Sequence, residues 1–210
     1  MNSKTIMKTF QGPTIALLSL VMLASCASRA PRRVDATGDE SVVSSDLDYG
    51  EFVEIAADMA NRLVSQPNFL SYPPYQDQLP IKMVLSDVEN RTAIRNIPTN
   101  QITGRVRSAG LNSGKIRFVS SFGGGTTDSV VQGSQDAAND PRFKQSEVPA
   151  QGSLTYPQTA LKTVIDQFYA TDGRARQNTF VVHMFVSDIS SGEILWEEFS
   201  EPIAKKVGRD

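Results

Sequence analysis

Cysteine, histidine and tryptophan each occur once in this chain of 210 residues. A lone cysteine excludes an internal disulfide, so an oxidising compartment is tolerated but not exploited. One histidine and one cysteine also rule out an ordinary zinc site, which takes several such ligands. Most nucleophilic and acid–base chemistry needs a base near neutrality, and His183 is the one histidine that could supply it. Long basic runs are missing too. Lys and Arg number 21 against 23 Asp and Glu, a formal charge of −2. A mildly acidic chain of this kind is a poor nucleic-acid binder, and its charge gives it no grip on anionic lipid heads.

What is present begins at the N-terminus. Lys4 and Lys8 form a basic start with no acid near it, and Ile15 to Leu23 (IALLSLVML) follows as a short apolar run. That run is too short to cross a bilayer, which takes about 20 apolar residues. Leu23-Ala24-Ser25-Cys26 comes next: an apolar residue, two small residues and the chain's single cysteine. The pattern is that of a lipoprotein export signal, in which small residues fit a peptidase pocket and the thiol carries the diacylglycerol. Residues 1–25 are therefore read as a signal peptide and Cys26 as the lipid attachment site, with S-diacylglycerol and an N-acyl chain. Two or more acyl chains make a durable anchor where one holds only marginally. Removing the signal takes Lys4 and Lys8 and no acid, so the formal charge falls from −2 to −4. Ala27 follows the cysteine where an inner-membrane signal would carry aspartate. By resemblance to sorting in enteric-type bacteria, this points to the outer membrane.

Residues 26–46 read as the lipidated cysteine and a flexible tether, polar and without hydrophobic period. About twenty residues reach at most ~70 Å when extended and nearer ~25 Å as a relaxed coil. Residues 47–210 read as one globular domain. Asp46 and Asp48 are candidate caps for a helix carrying Phe52, Ala56, Met59 and Leu63 on one face, ending near Gln66-Pro67. Ile81, Met83 and Leu85 alternate with Lys82, Val84 and Ser86, which predicts a half-buried strand. A loop is expected through Glu89-Asn90-Arg91-Thr92. A second helix opens at Pro98-Thr99 with Ile102, Val106 and Ala109 on one face and stops at Gly114. Lys115 to Ser120 is a strand. Gly123-Gly124-Gly125 is loop, and Ser129 to Ala138 is read as a short helix.

The C-terminal third reads as strands. Gln151 to Tyr156 is one candidate. Leu161 to Tyr169 fits strand or helix, with its β-branched content favouring strand. Asn178 to Ile189 is a long central strand, Ser190-Ser191-Gly192 a turn, and Glu193 to Phe199 the return carrying Trp196. The fold class is α/β (α+β): a mixed β-sheet with helices packed on it.

Each candidate for chemistry has a structural reading that fits better. His183 lies mid-strand among apolar residues and reads as a half-exposed strand histidine. Asp46, Asp48, Glu51 and Glu54 surround a helix start, where carboxylates favour the dipole, so capping is preferred to calcium. Gly123 to Asp128 lacks the Gly-Lys-Ser/Thr ending of a phosphate loop. Glu197, Glu198 and Glu201 lie at the end of a hairpin and are read as solvated. No enzyme, metal site or cofactor is expected.

Two stretches carry a family resemblance. Leu111 to Val119 (LNSGKIRFV) resembles the helix-end-to-strand segment of the LpoB family. Val186 to Trp196 (VSDISSGEILW) resembles that family's C-terminal hairpin, with its aspartate, turn glycine and tryptophan. Gln151-Gly152-Ser153-Leu154 resembles the strand preceding it. The likeness spans roughly residues 46–206. It implies a monomeric, non-enzymatic outer-membrane lipoprotein that faces the periplasm. Such a protein binds and activates a bifunctional class A penicillin-binding protein, a peptidoglycan synthase. The chain differs from enteric members in its tether, which is short and holds Pro31 as its only proline. A related fold in curli-export lipoproteins supplies the alternative of a structural part of an envelope assembly.

Overall fold

Helix α1 runs Tyr49–Ser65 in the computed structural model, which describes residues 46–65, 70–71, 75–122, 128–138, 140–150, 152–173 and 175–207. Of the two candidate caps, Asp48 takes the role. Its Oδ1 accepts from the Glu51 backbone N–H at 3.0 Å, and Glu51 Oε2 accepts from the Asp48 N–H at 3.0 Å. This reciprocal pair satisfies two helix-start donors that would otherwise lack partners. The buried stripe of α1 is Phe52, Ile55, Ala56, Met59, Ala60 and Leu63, the helical spacing expected from the sequence.

Helix α2, Thr99–Asn112, buries Ile102, Val106 and Gly110. Gly114 then takes φ +69°, the left-handed conformation that ends a helix cheaply only at glycine. The turn leads straight into strand β3. Gly110 lets α2 lie close on that strand, because a Cβ there would sit 2.7 Å from the Phe118 ring. Helix α3, Ser129–Ala137, is capped by Asp128, which accepts from Val130 N at 2.8 Å, yet it buries no residue.

The sheet has seven strands: β1 Ile81–Leu85, β2 Glu89–Arg91, β3 Ile116–Phe118, β4 Thr159–Asp172, β5 Ala175–Asp188, β6 Ile194–Phe199 and β7 Ile203–Val207. Its order is β3-β1-β4-β5-β6, with β2 also on β4 and β7 also on β5. The long strands are shared along their length. β4 pairs in parallel with β1 over Thr159 to Leu161 and with β2 over Val164 to Asp166. β5 takes β6 over His183 to Ser187 and β7 over Arg176 to Phe180, both antiparallel. This mixed sheet with helices confirms the α+β class.

Helices α1 and α2 cover one face only. Phe180, Val182, Met184 and Val186 of β5, with Leu161 and Ile165 of β4, meet the two helices in a single apolar cluster. The alternate residues of the same strands form the opposite, open face. Four expectations are corrected. Gly152 to Tyr156 form no strand, against the expectation for Gln151 to Tyr156 (Gln151 lies outside the described residues). Glu89–Arg91 form a strand rather than a loop, because the second half of β4 supplies a pairing edge that local sequence cannot announce. β7 was not anticipated. Val84, expected to face solvent beside Lys82, is 3 % exposed. Alternation places it on the open face, and neighbours on that face bury it.

Candidate functional surface

Strand β5 holds two of the residues that the sequence singled out in the C-terminal third, His183 and Asp188. Its last residue, Asp188, organises the hairpin to β6. The Asp188 Oδ1 accepts from Ser190 N and Oγ, each at 2.6 Å, and from Ser191 N at 2.9 Å. Its Oδ2 accepts the Tyr75 hydroxyl. Its backbone takes Gly192 N–H at 2.9 Å and gives its own N–H to Glu193 at 2.9 Å, and Gly192 turns the chain at φ +77°. Asp188 is 7 % exposed. Donors from Ser190, Tyr75 and Ser191 outweigh burial and hold it far below the usual carboxylate range. With its lone pairs taken up by these donors, Asp188 is a structural hub rather than an acid or base for a substrate. Trp196 packs into the core cluster at 8 % exposure. Both conspicuous residues of the hairpin therefore build the scaffold.

His183 projects onto the open face. Its ring stacks on Phe199 at 4.2 Å and 5° between planes, and lies 5.3 Å from Phe185. Its Nε2 is 2.8 Å from Glu197 Oε1. The imidazole is thus held between two aromatics and one carboxylate, as a packed strand residue. Glu197 and Glu198, read from sequence as solvated, both have partners: Glu198 Oε1 takes Arg62 Nη1 of α1 at 2.9 Å. The acidic helix start is likewise tied in, since Lys205 of β7 reaches Glu51 at 2.5 Å and Asp48 at 3.8 Å. The cap and the Lys205 pairs occupy the Asp48 and Glu51 carboxylates.

The same face carries a balanced charge cluster. Glu89 of β2 meets Arg91 at 2.8 Å and Lys162 at 3.1 Å, and Arg91 also reaches Asp166 at 3.9 Å. Hydrogen bonds from Arg91, then Lys162, hold the Glu89 carboxyl below its ordinary value. Among the described residues, no three His, Cys, Asp or Glu side chains are placed to hold a metal ion. No helix there is long and apolar enough to cross a membrane. Cys26 and the stretch Gly123 to Thr127 lie outside the described residues.

Further along the open face the balance changes. Lys82 of β1 and Arg117 of β3 are direct neighbours in register, both exposed, and neither forms an ion pair with another of the described residues. They line a groove of about 640 Å³ together with Leu79, Ser120, Ser121 and Leu154. Sequence reasoning missed this feature, because two cations 35 positions apart become neighbours only through the parallel pairing of β1 and β3.

The LpoB C-terminal domain from Escherichia coli is similar at 15 % identity and a TM-score of 0.40, covering 73 % of this chain and 98 % of that one. The LpoB C-terminal domain from Salmonella enterica gives 15 % identity, a TM-score of 0.39 and the same coverage. Lipoprotein GNA1162 from Neisseria meningitidis gives 10 % identity and a TM-score of 0.33, covering 61 % and 84 %. The search of curated proteins returned no match. The family model described as the peptidoglycan-synthase activator LpoB matches residues 51–201, from the first turn of α1 to the end of the β6 hairpin. The match takes in the Asp188 hub, Trp196 and the helix-to-strand turn at Gly114, and this chain belongs to the LpoB family of peptidoglycan-synthase activators.

Proposed function

We propose that this chain is an outer-membrane lipoprotein, anchored through acyl chains on Cys26, whose domain binds a bifunctional class A penicillin-binding protein and raises its rate of peptidoglycan synthesis. The observation that carries this reading is the family match, which takes in almost all of the described domain. The surface chemistry agrees with it. Asp48, Glu51, Asp188, Glu197 and Glu198 are engaged in a cap, a hairpin turn, a hydrogen bond to His183 or ion pairs, and His183 is packed between rings. A domain of this kind acts by contact. It activates by binding the active state of its synthase better than the inactive one, since only differential affinity shifts an equilibrium.

The anchor fits the same reading. Residues 1–25 direct export, residues 26–46 tether the domain, and residues 47–210 carry the contact surface as a monomer. The test is glycan polymerisation by a purified class A synthase with and without the chain. A rise in initial rate that saturates with added chain is the expected result. No change in rate, together with no detectable binding to any class A synthase, would sink the proposal. Labelling with radioactive palmitate that disappears in Cys26→Ala tests the anchor separately.

A further inference from the structure

The groove at the β1–β3 end of the sheet stands apart from the rest of the open face. Cations there elsewhere have acids beside them: Arg91 and Lys162 share Glu89, and Arg91 also faces Asp166. Lys82 and Arg117 do not. Parallel pairing sets them side by side on neighbouring strands, about 4.8 Å apart along the hydrogen-bonding direction. Like charges so placed repel one another. Among the described residues, the groove lining holds these two cations and no acid. The chain as a whole has more acids than bases, so a pair of uncompensated cations in a concave site is not a product of composition.

Two more observations define what would fit. Leu79 and Leu154 on the groove wall are 49 % and 44 % exposed, and Phe122 and Tyr156 form a tilted pair close by at 5.6 Å. A bare inorganic anion would leave that apolar surface wet. β3 also ends the strand order, so its far edge has no strand partner among the described residues. An edge strand of this kind accepts an added strand through its backbone, with side chains of the incoming segment filling pockets on alternate positions. We propose that this groove binds an extended acidic segment of a protein partner, with carboxylates on Lys82 and Arg117 and apolar side chains against Leu79 and Leu154. The inference rests on the reading of the domain as one that acts by protein contact, and it names where that contact falls.

The probe is a fluorescein-labelled ten-residue peptide alternating Glu with Leu and Phe, and its counterpart with every Glu replaced by Lys. Anisotropy is read with the full chain in mild detergent. The acidic peptide binds saturably, the basic one does not, and raising salt weakens the binding. K82E/R117E lowers affinity for the acidic peptide by about tenfold or more, since two charge-assisted contacts are lost, and it gains affinity for the basic peptide. Both positions are exposed, so folding should survive; K82Q/R117Q carries the same test if the reversed variant does not fold. Equal binding of the acidic peptide by wild type and variant overturns the proposal. So does binding of phosphatidylglycerol vesicles through Lys82 and Arg117 with no affinity for the peptide. In the synthase assay, equal stimulation by wild type and K82E/R117E removes the groove and leaves the activator reading standing. Charge-dependent peptide binding without stimulation of any synthase supports the groove and removes that reading instead.

Discussion

The two faces of the sheet use the same strands for different ends. On the covered face, Phe180, Val182, Met184 and Val186 are each at most 1 % exposed beneath α1 and α2. On the open face, the alternate residues Val181, His183, Phe185 and Ser187 remain half-buried. Val84 and Val164, at 3 % exposure each, are buried there but stand outside the core cluster. The covered face is held by apolar area and shape. The open face is held by stacked rings and charge register, and it is where two cations have no ion-pair partner among the described residues. The packed core resides on one side, and the groove proposed to bind a partner on the other.

The sharpest way to break that division is to remove a ring from each face. Phe180→Ala on the covered face should cost about 3–5 kcal/mol. Phe199→Ala on the open face, where the ring is 55 % exposed, should cost about 1 kcal/mol or less. Urea unfolding followed by fluorescence of Trp196, the one tryptophan and itself buried, compares the two directly. Equal costs would mean that a second core lies on the open side.

Asp188 is the polar anchor of the covered side. Asp188→Ala leaves the Ser190, Ser191 and Tyr75 donors without their acceptor, a loss of about 2–3 kcal/mol. The carboxyl is held well below its unfolded value of 3.8. A group depressed in the folded state stabilises fully above the unfolded value and loses that contribution as pH falls below it. Wild-type stability should therefore decline below about pH 4, and Asp188→Asn should flatten that part of the curve. An unchanged acid limb in the variant would show that other carboxylates carry it.

The contact between α2 and β3 is tighter than the sequence suggests. Gly110→Ala puts a methyl 2.7 Å from the Phe118 ring. Overpacking outweighs the gain in helix propensity, for a net loss of about 1–2 kcal/mol. A stabilised variant would show that Phe118 swings away freely.

The covered face is legible in the sequence because it is periodic. Phe52, Met59 and Leu63 recur at helical spacing, and Asn178 to Ile189 alternates over a full strand. The short elements are not legible. β2 is three residues, Glu-Asn-Arg, too few to show a period and apolar nowhere. It becomes a strand because β4 runs long enough to seat it after β1 ends. Gln151 to Tyr156 alternates weakly in sequence, but no described strand pairs with Gly152 to Tyr156. Glu197 and Glu198 look solvated in sequence and are paired in space by residues 14 and 136 positions away. The Lys82–Arg117 groove shares that difficulty: it exists only in the register of two parallel strands. The family resemblance found Asp188, Gly192 and Trp196, which the structure shows to be scaffold, and so it marked the fold without marking the contact surface.

The smallest effects discriminate best between the two ends of the open face, because they differ in sign. Glu89→Gln removes the anion shared by Arg91 and Lys162, leaving cations together where they had been balanced. It should lower the unfolding midpoint slightly at low salt. Lys82→Gln does the reverse. It separates Arg117 from a like charge in register and should raise stability by about 0.2–0.5 kcal/mol at low salt. Both differences should vanish near 1 M salt, where the Debye length falls to about 3 Å. A chain selected for stability alone would not keep a cation whose removal helps. A gain from Lys82→Gln, beside a loss of acidic-peptide binding in the same variant, would mean that this end of the sheet gives up folding free energy to hold a partner. If Lys82→Gln lowers stability instead, the two cations are supported by the fold itself, and the distinction between the two ends collapses.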